Sequence, residues 1–134
     1  MILTEKYRQI LEGVLAKSRR DEAQWQKPLR KPKGPERTNF ILQFNDESPL
    51  YVGRIPSPNG PDVCYATLII NGMRMAFLEA EEGAYQGDWD LLSDLFREAE
   101  RVVYKWDKAV LEIDRLLESE ELIGGQEPPE SEVP

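Results

Sequence analysis

Twenty-five acidic side chains and no histidine set the chemistry open to this chain of 134 residues. Histidine is the commonest general base and metal ligand near neutral pH. Its absence removes every Ser-His or Cys-His nucleophile pair. The sole cysteine, Cys64, leaves no internal disulfide to form, which fits a reducing cytoplasm. It alternates onto the apolar face of a predicted strand, where an inert buried thiol is expected. Chemistry would therefore fall to carboxylates, a lysine or Tyr85.

Glu79, Glu81, Glu82, Asp88, Asp90 and Asp94 crowd one stretch of the chain. Hard cations take such oxygen ligands, but an EF-hand needs alternating acids, a central glycine and a terminal glutamate within twelve residues. Glu79 to Asp90 does not match. Gly83 and Gly87 lack the lysine and the preceding βαβ context of a phosphate loop. The stretch is expected to be a solvated turn running into a helix, with no metal. No spacing elsewhere pairs two carboxylates, so neither an enzyme nor a cofactor is predicted.

The basic counterpart is Lys27, Arg30, Lys31, Lys33 and Arg37. From Arg19 to Arg37 seven Lys or Arg face three acids, in a protein whose formal net charge is −8. Such a run can track a phosphate backbone, with Tyr51, Tyr65 or the Phe40/Phe44 face stacking bases. The overall acidity opposes this and suits an electropositive partner better.

The elements that would carry these residues begin with a helix. Leu3, Tyr7, Ile10, Leu11, Val14 and Leu15 fall on one helical face, with Thr4 as expected N-cap. Residues 1–26 form this N-terminal segment, and 27–37 a proline-rich basic linker. Four strands follow. Phe40, Leu42 and Phe44 share a face of the first. Pro49 and Pro56 bound a short second strand, expected at a sheet edge. Asn71-Gly72 joins the last two, because a type I′ turn needs positive φ at both positions. Pairing Ile70 with Met73 predicts Cys64, Ala66, Leu68, Ile70, Met73, Met75 and Phe77 on the core face.

The longest pattern is a heptad stripe: Leu92, Leu95, Ala99, Val102, Trp106, Ala109, Ile113 and Leu116. Phe96, Val103, Val110 and Leu117 widen it. It predicts a single helix from Asp88 to Glu121, about 50 Å long, with Asp88 as cap. Residues 38–121 are expected to form one domain with 1–26, followed by a disordered acidic tail over 122–134.

The predicted class is α+β: an N-terminal helix, a four-stranded antiparallel β-meander, and a long C-terminal helix packed on one sheet face. The expected function is a non-enzymatic interaction module, an adaptor, regulator or inhibitor, dimeric through the long helix. Trp106, Val110, Ile113 and Leu117 would associate, and Glu79, Glu81 and Glu82 would meet a protein partner with a basic surface. The alternative is a single-stranded nucleic-acid binder using Lys27, Arg30, Lys31, Lys33 and Arg37, whose four strands and helix resemble Whirly-like modules in element order alone. No apolar run reaches the length of a membrane span, and the N-terminus lacks the pattern of a signal peptide. A cytoplasmic protein is expected.

Overall fold

The first helix, α1 (Thr4–Arg19), buries Tyr7, Leu11, Val14 and Leu15, the face that the apolar spacing selects. Its cap is Leu3, with no side-chain hydrogen bond, so Thr4 opens the helix instead of capping it. The computed structural model describes residues 2–28, 38–84, 86–120 and 122–124. Past α1 the chain continues inward. Ala23 and Trp25 are buried, and the Trp25 indole N–H donates to the Ser18 hydroxyl at 3.0 Å. Ser18 in turn donates to the Val14 carbonyl at 2.7 Å, so this buried polar pair is satisfied.

Four strands follow: β1 (Thr38–Gln43), β2 (Pro49–Ile55), β3 (Val63–Ile70) and β4 (Met73–Glu81). They form one antiparallel sheet in the order β1-β2-β3-β4. The short connections dictate this meander, since parallel pairing needs a long crossover. The proline-bounded β2 is central, not an edge, because its prolines occupy its first residue and the position just beyond its end. There the missing N–H costs the ladder little.

The hairpin turn forms as expected, with Asn71 and Gly72 at φ 52° and 81°. The register beyond it differs. Ile70 pairs with Met73 and Ile69 with Arg74, but Leu68 pairs with Ala76. Met75 is the extra residue of a β-bulge, and its carbonyl accepts the Ile2 N–H at 3.0 Å. A one-residue slip exchanges the two faces of a strand. Ala76, Leu78 and Ala80 therefore join the core, while Phe77 is 43% exposed. Cys64, Ala66 and Leu68 of β3 are buried as predicted. Burial also pushes the Cys64 thiol up to about 11, so it stays protonated.

The single helix expected over Asp88 to Glu121 is two. The helix α2 (Gln86–Tyr104) places Leu91, Leu92, Leu95, Phe96 and Ala99 in the core with the sheet and α1. Lys105 then adopts the left-handed conformation at φ 56° and ψ 45°, and α3 (Trp106–Glu118) follows. That conformation costs a side-chain-bearing residue about 1–2 kcal/mol. Neither glycine nor proline marks the break. Val102 and Val103 only weaken helix propensity, and the stripe keeps its phase through them. The helix also ends before Glu121, with Ser119 as cap.

The chain divides into two compact units at this break, Met1–Tyr104 and Lys105–Pro134. In the first, α2 spans the sheet and α1 packs beside it against α2 and β4. Arg101 fastens the pair of helices. Its guanidinium donates to the Ser18 carbonyl at 3.0 Å and to the Asp21 carboxylate at 2.7 Å. At the other end Arg8 grips Asp88 through two hydrogen bonds of 2.8 and 3.1 Å. Asp88 is thus a tie between helices inside the first turn of α2, not its cap. The tail expected over 122–134 falls mostly outside the described residues.

Candidate functional site

Three surfaces compete for function. The first is α3. Its apolar residues repeat at helical spacing, yet none of its residues is buried. Trp106 is 43% exposed, Val110 55%, Ile113 53% and Leu117 65%. At 100° per residue these four fall within an arc of about 60° and extend over about 16 Å of axis. This is the association set that the heptad reading selects, placed on one face. Leu111, off that stripe, is exposed as well.

The second surface is the sheet face away from α1 and α2. It carries Ile41, Tyr51, Tyr65, Ile69 and Phe77, a mixture of half-buried and exposed side chains. Tyr65 is accounted for structurally. It pairs across the strands with Gly53, and a Cβ at Gly53 would collide with the hydroxyl end of the Tyr65 ring. The ring fills the place that a side chain would take, and Asn39 donates to its hydroxyl at 3.2 Å. Phe77 is covered in part by the Arg74 guanidinium, 5.2 Å from its centroid.

Glu79 and Glu81 sit on this same sheet face, opposite Tyr65 and Val63. Glu82 lies in the following turn, where its N–H donates to the Asp62 carbonyl. All three side chains are exposed. They belong to the first compact unit, and the α3 stripe belongs to the second. Among the described residues no three His, Cys, Asp or Glu side chains gather around a common point that could hold a metal ion.

The basic run is a weaker candidate. Lys27 places its ammonium 4.5 Å from the centroid of the Tyr104 ring. Arg30, Lys31, Lys33 and Arg37 lie outside the described residues. Phe40 cannot stack a base: it is fully buried, packed on Phe96 and edge-on to Tyr104 at centroid distances of 5.3 and 5.9 Å. Tyr51 remains available on the open sheet face.

Two polar groupings lay beyond sequence reasoning. Arg54 donates to Asp62 at 2.6 and 3.0 Å and stands 5.8 Å from the Trp89 ring. Its hydrogen bond, with another from the Ser57 N–H, holds the Asp62 carboxyl below the usual range. Glu100 is shifted the opposite way: partial burial raises it, against the pull of Arg54 and Arg97. Arg54 also pairs across the strands with Cys64, whose thiol is buried. The strand registers that bring them together were not legible in the sequence. A hollow of about 330 Å³ between Ile2, Ile10, Phe44, Leu68 and Ile70 is within the size range of ligand sites but gathers no charged group.

No helix among the described residues is long and apolar enough to cross a membrane. No protein family, curated protein or solved structure matches this chain.

Proposed function

We propose that this protein is a non-enzymatic interaction module, with the sheet and its two helices as scaffold and α3 as docking helix for a protein partner. One observation carries the reading: α3 has a continuous apolar stripe from Trp106 to Leu117, and no residue of it is buried. Water-facing stripes of this kind are stabilised by a partner. Trp106, a residue type enriched at binding hot spots, stands at one end of the stripe as an anchor. Acidic regulators and inhibitors steer basic partners by their field, and the net charge of −8 suits that role.

The test is capture from lysate of the source cell on the tagged chain, after nuclease treatment, with wild type and Ile113→Asp side by side. The expected outcome is a protein retained by wild type and lost with Ile113→Asp, while circular dichroism shows the scaffold intact. Retention unchanged by Ile113→Asp refutes α3 as the docking element.

The open sheet face supports a second reading, single-stranded nucleic acid stacked on Tyr51 with the 27–37 run along its backbone. Glu79 and Glu81 on that face weigh against it. Recovery of nucleic acid that nuclease abolishes, and that falls steeply with salt, would bring this reading forward.

A further inference from the structure

We infer that the partner of α3 is a different protein presenting an apolar groove with a lysine- or arginine-rich rim, and that a second copy of this chain is the wrong occupant. The inference rests on the docking role proposed for α3 and adds the chemistry of what it meets.

Its basis is where the charges of α3 fall around the stripe. With Trp106 at 0°, helical periodicity places Val110, Ile113 and Leu117 within about 40° of it. Asp107, Asp114 and Glu118 then occupy one flank, about 80° to 120° round the helix. Glu112 borders the other flank. The two cations, Lys108 and Arg115, sit at about 180° to 200°, on the back. Both borders of the apolar face are therefore acidic, and the cations of α3 stand behind them on the far side of the helix.

That arrangement works against self-pairing in either direction. Two antiparallel copies would set the Asp114 and Glu118 flank against itself. Two parallel copies would set it against the flank that holds Glu112. Like charges facing across a helix pair destabilise it, and e/g-type charges govern partner choice for this reason. Size points the same way. A helix of 13 residues is about 20 Å long and 10 Å across. Against one identical helix it cannot cover the roughly 800 Å² per partner of a standard stable interface. A groove contacts a helix on three sides and covers more. Basic rim groups would meet both acidic borders while Trp106, Val110, Ile113 and Leu117 enter the groove.

The inference is tested with two synthetic amphipathic helices that share a leucine face, one with lysine and one with glutamate on its borders, titrated into the full chain by calorimetry. The oligomeric state is measured by light scattering in parallel. The expected result is a monomer that binds the leucine–lysine helix and not the leucine–glutamate helix. Binding should fall by at least about tenfold in Ile113→Asp and in the Asp114→Lys/Glu118→Lys pair. It should persist in Asp46→Lys/Glu47→Lys, exposed in the turn between β1 and β2, where the overall charge changes equally but α3 is untouched. Equal loss with Asp46→Lys/Glu47→Lys would reduce the effect to general charge attraction and overturn the inference. A dimer that Ile113→Asp dissociates, or equal binding of both helices through Ile113, would also overturn it while leaving α3 a docking element. Binding of neither helix by a monomer, with lysate capture indifferent to Ile113→Asp, would remove the docking role itself.

Discussion

The helices α2 and α3 come from one unbroken heptad stripe, yet they end in opposite states. Leu92, Leu95 and Ala99 of α2 are fully buried, whereas α3 has no buried residue and leaves Val110, Ile113 and Leu117 more than half exposed. The amphipathic pattern is alike in the two. What differs is cover: α2 lies on the inner face of the sheet beside α1, and among the described residues no element hides the stripe of α3. An amphipathic pattern records a requirement for cover, and only the tertiary structure shows whether the chain meets it internally. Where it does not, as in α3, the apolar stripe stays exposed to water.

The comparison is broken most directly by truncation on both sides of Lys105. Leu95→Ala removes a fully buried side chain and should cost about 2–5 kcal/mol, read from urea unfolding. Ile113→Ala should stay within about 0.5 kcal/mol. A large cost at Ile113 in the isolated chain would mean that the α3 stripe is already covered.

The covered and open faces of the sheet are compared by Gly53→Ala. The new methyl must displace the Tyr65 ring and its hydrogen bond to Asn39, at a cost of about 1–3 kcal/mol. In a Tyr65→Ala background the same change should become nearly neutral, and full additivity would show that the ring does not rest on Gly53.

Lys105→Gly sharpens the boundary between the helices by the sign of its effect. At a left-handed position glycine relieves up to about 1 kcal/mol. In a continuous helix it would cost about 1 kcal/mol and lower the helical circular dichroism. A rise in melting temperature without loss of helical signal is expected.

The smallest effect concerns pH within the scaffold. Partial burial raises the Glu100 carboxyl in the folded state, so its ionised form is disfavoured there. Glu100→Gln should be slightly more stabilising at neutral pH, with the gain disappearing as pH falls through the carboxylate range. Asp62 has the opposite sign. Arg54 lowers it, so its contribution is present above the ordinary carboxylate range and is lost as pH falls through the lowered value. Melting curves of Glu100→Gln and Asp62→Asn across acid pH should diverge from wild type in opposite directions, and parallel curves would contradict these environments.

Much of the fold was legible because local rules acted without competition. The Asn71-Gly72 turn, the inner face of β3 and the buried stripes of α1 and α2 each follow from a short-range period or a φ requirement. The apolar stripe of α3 was legible for the same reason. Its acidic borders could have been found by projecting Asp114 and Glu118 onto the same wheel as Ile113. The opposition of Gly53 and Tyr65, and the meeting of Arg54 with Asp62, required a strand register that no local pattern specifies.

By itself the sequence determined the α+β class, the antiparallel order, the acidity and the apolar stripe running from Leu92 to Leu117. Tertiary structure decided the rest. The bulge at Met75 exchanged the faces of β4, because Ala76, Leu78 and Ala80 fit under the helices where Phe77 would have pointed inward. Strand β2 became central because both of its neighbours could pair with it between its two prolines. At Lys105 the stripe was divided between a helix that the sheet covers and one with no buried residue. Periodicity runs through that residue unchanged, whereas burial depends on which surfaces the whole chain brings together.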